Sequence, residues 1–259
     1  MVAANGSNLL DNSFPYWGCY DIVPMLWDCW PSSWPVMKKS FDLLDVDTAF
    51  VTSRQVAEMI NRDTKVRAFW IPEGIDTRHY MKGKQLDERC YDVYELGRQH
   101  PRYHSVLSKL LANGAINSLL TSNIISDGRL DEKNVAYSNE QMYSLMSDSK
   151  VMICFPQADT NPSRAWKIET LTQRYWEAML SRCVMVGRAP QELVDVIGYD
   201  PVVSVDWTDP EGQMKQIMDN IGWYQELVDR NRESALKHSP WLERMPMIRK
   251  ALEETGRCF

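Results

Sequence analysis

The chain has little of what several functional classes require. Its 259 residues contain only four histidines, at 79, 100, 104 and 238. His100 and His104 are four apart, on one helix face, but neither has cysteine or carboxylate partners at metal-ligand spacing, so no metal site is expected. The six cysteines (19, 29, 90, 154, 183 and 258) form no CxxC. That excludes a zinc ribbon and argues for a reducing compartment over a disulfide framework. Cys154 and Cys183 lie inside apolar runs and read as core thiols. No apolar run approaches the length of a membrane span, and the N-terminus lacks the basic start and apolar centre of a signal peptide. The expectation is a cytoplasmic protein, with peripheral membrane attachment left open. There is no excess of basic residues: 29 Lys and Arg against 35 Asp and Glu leave a formal charge of -6. A nucleic-acid partner is therefore not expected. G-x-G-x-x-G after a strand, G-x-x-x-x-G-K-[ST] and G-x-S-x-G are all missing, which counts against a dinucleotide-dependent dehydrogenase, a P-loop nucleotidase and an α/β-hydrolase.

What is present is a full apolar complement, 44% of residues, enough for a large core. Residues 1–20 are polar and Gly/Asn-rich, then aromatic, and read as poorly structured. A strand is expected over 22–27 despite Pro24. Trp27, Trp30 and Trp34 fall in the next stretch, where core packing and a stacking platform for a sugar are both open readings. Residues 47–51 read as a strand, Ser53 or Thr52 as the cap of a helix to about 60, and 66–71 as a strand. From about 90 onward strand and helix alternate. Strands are expected at 91–96, around 119–120, 151–155, 183–187 and 202–205. Helices are expected at 103–112, from the Ser138-x-x-Gln141 capping box, at 170–181, between Pro190 and Gly198, from Asp209 through Val228, and at the C-terminus. Continuously apolar runs such as VMICF and CVMVG mark strands buried on both faces. The fold class is α/β, a Rossmann-like parallel sheet layered with helices. The division expected is a remnant N-terminal Rossmann-like domain with a hinge over 1–80 and a ligand-binding domain over 81–259.

In such a domain ligands collect at the carboxyl ends of the strands. Three places there carry chemistry. Gly97-Arg98 directly follows a strand: the glycine permits a tight turn or close approach, and the arginine can clamp a phosphate, or the pair is an ordinary solvated turn. In KIETLTQRYWEAM, Glu169 and Glu177 are eight apart. If both were helical they would be offset by about 80° and about 12 Å along one cleft. Free backbone N–H groups at about 170–172, with Thr172, Gln173 and Arg174, suit a diphosphate, and Glu177 suits ribose hydroxyls. The plainer reading is a dipole-matched Glu169 and a solvated Glu177. The third place is the polar loop from Gln157 to Lys167, holding Asp159, Arg164, Trp166 and Lys167.

These residues resemble the retaining glycosyltransferases of the GT-B fold, in the large group 1/family 4-like set. Its Glu-x7-Glu matches Glu169 and Glu177 within ETLTQRYWEAMLSRCVMVG. Its P-x-G-x-D matches Pro72, Gly74 and Asp76, and its Gly-Arg matches Gly97 and Arg98. VTSRQVAEMI resembles the last strand–helix unit of the N-domain, and HSPWLERMPMIRKALEE the closing helix. The resemblance implies that Arg98 contacts the donor diphosphate, Glu177 holds the donor ribose and Glu169 faces the transferred sugar, with Glu169 and Arg98 the catalytic pair. Gly97, Arg102, Thr172, Gln173 and Arg174 complete the donor site. It implies sugar transfer with retention from a UDP-, GDP- or similar donor, without an essential metal or further cofactor. The acceptor would be a glycan, a lipid-linked sugar or a small molecule, in polysaccharide or glycolipid synthesis. Two positions depart from the pattern: Tyr103 stands where many members carry a lysine, flanked by Arg102 and His104, and Arg182 stands where glycine is usual. The full fold also needs a longer N-domain than residues 1–80 are expected to make. A second chain supplying it is one expected remedy, and without that domain the apolar face of the closing helix is expected to be exposed or buried in a homodimer. The rival reading is a non-catalytic nucleotide-sugar-binding module, and a purely structural subunit is the third.

Overall fold

The computed structural model describes residues 1–122 and 138–257. Strand β1 (Val2–Asn5) leads through helix α1 (Leu9–Ser13) to β2 (Pro24–Trp27), α2 (Trp34–Leu43), β3 (Thr48–Val51), α3 (Arg54–Asp63) and β4 (Arg67–Trp70). Then come β5 (Tyr91–Leu96), α4 (Pro101–Ala112), β6 (Leu119–Ser122), α5 (Asn139–Ser147) and β7 (Ser149–Cys154). Two short helices, α6 (Gln157–Thr160) and α7 (Pro162–Ala165), precede α8 (Gln173–Leu180), β8 (Val184–Gly187), α9 (Gln191–Ile197) and β9 (Val202–Ser204). The chain closes with α10 (Pro210–Asp219), α11 (Gln225–His238) and α12 (Met245–Glu254). Among the described residues no helix is long and apolar enough to cross a membrane.

Among the described residues all the strand pairings are parallel, in a four-stranded sheet ordered β1-β2-β3-β4 and a five-stranded sheet ordered β6-β5-β7-β8-β9. The expected α/β class, Rossmann-like parallel sheet layered with helices, is what forms. Two compact units hold these sheets: Met1–Gly74 with Asn161–Leu171 and Trp241–Phe259, and Ile75–Thr160 with Thr172–Pro240. Every residue of β3 and of β8 is buried, as strands covered on both faces require. Cys154 and Cys183 are fully buried, and burial pushes their thiols up to about 12 and about 11.

In the first unit the opening residues depart from expectation. Val2–Asn5 pairs in register with Pro24–Trp27, and Leu9 is fully buried. The Asn and Gly residues that suggested disorder form a tight turn instead: the Asn5 carboxamide accepts from the N–H groups of Ser7 and Asn8 at 2.9 and 3.1 Å. A four-residue edge strand is too short to show a period. Trp30 is buried at 4% exposure, the Trp34 indole donates to the Cys29 carbonyl, and Trp27 meets Trp241 edge-on at 5.9 Å. Packing accounts for these three rings. The terminal helix, whose apolar face was expected to be exposed or buried in a dimer, is covered within its own unit. Ile248 and Ala251 join a cluster with Val23, Met25, Phe50 and Ile71.

In the second unit the helix expected from Asp209 to Val228 is two helices. It stops at Asp219, passes through a 3-10 turn over Ile221–Tyr224 and resumes at Gln225. The Asn220 side chain bonds back to the Gln216 carbonyl at 2.9 Å, a local competitor for helical bonding. The stripe Met214, Ile217, Ile221, Tyr224 and Val228 still packs into one core, because the tighter turn keeps these positions on one side.

Helix α8 explains the arginine at a glycine position. Ser181 ends the helix, and Arg182 takes φ +56°, the left-handed conformation usual for glycine there. Its N–H bonds the Met179 carbonyl and the next N–H, of Cys183, bonds that of Ala178, so the Schellman closure is kept. The side chain, 2% exposed, donates from Nε to Asp229 at 2.6 Å, from Nη2 to Gln85 at 3.2 Å, and from Nη1 to the carbonyls of residues 82–84 at 3.4 Å. The backbone strain of about 1–2 kcal/mol is offset by charge-assisted bonds worth about 1.5–3 kcal/mol. In urea unfolding, Arg182→Ala should lose about 2–4 kcal/mol. Arg182→Gly should lie about 1 kcal/mol above the alanine variant and still below wild type. A glycine variant as stable as wild type would show that the side-chain network contributes nothing.

Candidate functional site

The five-stranded sheet runs β6-β5-β7-β8-β9, so β5 is followed to one side by β6 and to the other by β7. The carboxyl ends of β5 and β7 at this reversal of strand order are the position where such sheets hold ligands. Gly97 is the first residue past β5. Its φ is +75°, and a Cβ built on it would lie 2.7 Å from Nη2 of Arg174. The guanidinium therefore rests against bare backbone. Any side chain at 97 would both strain the turn and displace the arginine.

Arg174 stands on the first turn of α8, and its Nε donates to Oε2 of Glu177 at 3.2 Å. Glu177 lies three residues on, and its side chain is 12% exposed. It sits on a helix whose Tyr175, Trp176, Ala178 and Met179 are buried. The carboxylate is thus not the solvated surface group of the plainer reading. Its second oxygen accepts from the Tyr80 hydroxyl at 3.4 Å. Burial, and then the Glu177 charge, hold the Tyr80 phenol well above its ordinary pKa, so it stays a proton donor. Tyr80 meets Tyr143 edge-on at 4.9 Å, and His79 stacks on Tyr143 at 5.6 Å and 8°. Arg232, from α11, donates to the carbonyls of Leu180 and Tyr80, tying the end of α8 to the segment that carries the tyrosine.

The cluster brings together Gly97, Arg174 and Glu177 of the residues singled out in the sequence. Arg98 follows Gly97 directly and is exposed. Thr172 is the N-cap in extended conformation (φ -102°, ψ 161°), its side chain makes no capping bond, and Gln173 is the first helical residue. The helix therefore starts at 173, not 170, and the Tyr175 N–H bonds the Thr172 carbonyl at 3.2 Å. Glu169 is not helical, so the 80° offset does not apply. It belongs to the unit with the four-stranded sheet, where its N–H donates to the Gln55 side chain at 2.7 Å and its carbonyl accepts from Ser53 at 3.3 Å. The physical reason is that residues 161–171 pack with that unit, burying Ala165 and Ile168 in its core. Arg102 is engaged elsewhere: its guanidinium lies 4.5 Å over the Trp207 ring and donates to that residue's carbonyl at 3.2 Å. Tyr103, at the position of the family's lysine, is fully buried and supplies no charge.

Sequence reasoning missed Tyr80, Tyr143 and Arg232. Tyr80 follows IPEGID by four residues, but no spacing rule ties a tyrosine there to a glutamate 97 positions later. To test the close approach, Gly97→Ala is compared with Gly114→Ala. Gly114 has φ +72° and open space around it. Both variants carry the left-handed strain of about 1–2 kcal/mol. Gly97→Ala should lose at least about 1 kcal/mol more in urea unfolding, through the displaced arginine. Equal losses would mean that Arg174 moves aside freely.

No protein-family model and no curated protein matches this chain. Solved structures do. The chain is similar to sucrose-phosphate synthase from Thermosynechococcus elongatus, with TM-score 0.56 and 14% identity over 86% of this chain and 61% of that one. It is similar to TarM, with TM-score 0.54 and 13% identity over 83% of this chain and 46% of that one. The GtfA/B complex gives TM-score 0.50 and 12% identity over 90% of this chain and 57% of the other. These neighbours are GT-B glycosyltransferases, and at such identities the likeness is one of fold. The chain spans between 46% and 61% of the length of these three structures.

Proposed function

We propose that the protein is a glycosyltransferase whose second unit holds a nucleotide-sugar donor. The observation that carries this reading is the Gly97–Arg174–Glu177 cluster at the carboxyl ends of β5 and β7, beside the N-terminus of α8. The glycine lets the Arg174 guanidinium lie against the turn. The Arg174 guanidinium, held by Glu177 and resting on the Gly97 backbone, is a donor that needs no reorganisation when charge develops on a departing diphosphate. Arg98, one residue past the turn, adds a second guanidinium. Glu177, half of whose hydrogen bonding goes to Arg174 and half to Tyr80, is an acceptor oriented in advance for ribose hydroxyls. Transfer with retention, and a role for Glu169 toward the transferred sugar, follow from the resemblance of Glu169 and Glu177 to the Glu-x7-Glu pair. One neighbour was solved as a GtfA/B complex, and a second chain contributing to the acceptor side is part of this proposal.

Calorimetric titration with UDP-, GDP- and ADP-sugars tests it. One of the three should bind with micromolar to millimolar affinity. Glu177→Ala should weaken that binding at least about tenfold, which is about 1.4 kcal/mol. Glu169→Ala should leave nucleotide affinity within about threefold while reducing sugar release from the donor. Binding of none of the donors would end the nucleotide-sugar reading, and an unchanged affinity in Glu177→Ala would remove Glu177 from it.

A further inference from the structure

The second unit carries another concavity that the donor cluster does not use. It is an open pocket of about 520 Å³ at the carboxyl ends of β7, β8 and β9, within the size range of ligand sites. One wall is aromatic. His100, Phe155 and Trp207 contact one another with centroids 4.6, 5.1 and 6.2 Å apart and planes tilted by 33–40°. Arg102, which also lines the pocket, lies 4.5 Å over the Trp207 ring. The polar side is a fork. Arg188 donates from Nε and Nη2 to the two oxygens of Asp159 at 2.7 and 2.8 Å. Both remain open to solvent, at 40% and 26% exposure. The Arg188 backbone is pinned on both sides: its N–H bonds the Cys154 carbonyl at 2.9 Å, and its carbonyl accepts from the Tyr175 hydroxyl at 2.7 Å.

We infer that this pocket binds a neutral saccharide ring. A pyranose has one face of C–H groups and a rim of hydroxyls that both donate and accept. The negative faces of aromatic rings attract the first, and a carboxylate–guanidinium fork offers acceptor and donor together for the second. The alternatives fit less well. A nucleobase stacks on one flat face, whereas these ring planes are tilted by 33–40° to one another. A phosphate needs guanidinium donors without a competing anion, but Arg188 is paired in bidentate fashion with Asp159, and Arg102 sits over the Trp207 ring and donates to its carbonyl. Burial also lowers the pKa of His100, which weakens its attraction for an anion. Where the transferase reading holds, the ring is a sugar of the acceptor. The binding itself does not depend on that reading.

Saturation-transfer NMR with methyl glucoside, methyl galactoside, methyl mannoside, N-acetylglucosamine and maltose at millimolar concentration tests the inference, with uridine and inorganic phosphate as competing probes. At least one saccharide should give transfer to its ring C–H protons. Trp207→Ala and Asp159→Asn should each reduce its affinity fivefold or more, Trp207→Phe should restore most of it, and Glu177→Ala should leave it unchanged. Asp159→Asn keeps the shape of a half-exposed residue, so a folding defect in Trp207→Ala leaves the inference falsifiable. UDP binding in the same variants separates the two sites: it should fall in Glu177→Ala and persist in Trp207→Ala. No transfer to any saccharide, equal transfer in both pocket variants, or uridine or phosphate binding abolished by Trp207→Ala in place of saccharide binding would each overturn it.

Discussion

Parallel pairing is the constraint on which the functional geometry depends. When every strand of a sheet runs the same way, each connection must cross back over a face, and all the carboxyl ends open on one edge. The turn at Gly97, the approach to α8 and the turns at Arg188 and Trp207 are then neighbours on a single rim, though they are spread over more than 100 residues. The order β6-β5-β7-β8-β9 adds the second condition, since β5 stands between its successor β6 and β7. That reversal of order is where such sheets hold ligands, before any side chain is considered.

Side chains then cluster at that position. A guanidinium rests on a glycine, and a largely buried carboxylate is shared between that guanidinium and a phenol. The parts are held from behind. Arg232 ties Tyr80 to the end of α8, and Arg182 ties that same helix end to residues 82–85 and to α11. Strain at Arg182 is tolerated because its side chain has more to bond than a glycine would. The aromatic pocket at β7, β8 and β9 is made on the same rim by a different chemistry, an apolar wall facing a neutralised ion pair.

Much of this was legible in the residues. Continuous apolar runs at VMICF and CVMVG named buried parallel strands, and alternation of strand and helix named the layers. Gly97, Arg174 and Glu177 were singled out from their positions past a strand and along a helix, and the structure joins them. Other features were hidden for physical reasons. The strand Val2–Asn5 is too short to carry a period, and its turn residues resemble those of disorder. The start of α8 was misplaced because Thr170 and Leu171 suit a helix locally while the packing of Ala165 and Ile168 draws 161–171 into the other unit. The break at Asn220 was masked because the apolar stripe survives it.

By itself, then, the sequence determined the fold class, the core thiols, the strand edges and the glycine turn, because local propensity, apolar period and turn chemistry act over a few residues. Tertiary structure alone decided that Glu169 and Glu177 stand in different units, that Arg102 covers Trp207, that Tyr80 completes the Glu177 cluster and that Asp159 meets Arg188. Those pairings join residues 29 to 105 positions apart or part residues only eight apart. Only the sheet order and the crossovers fix such distances, and no local rule in the chain encodes them.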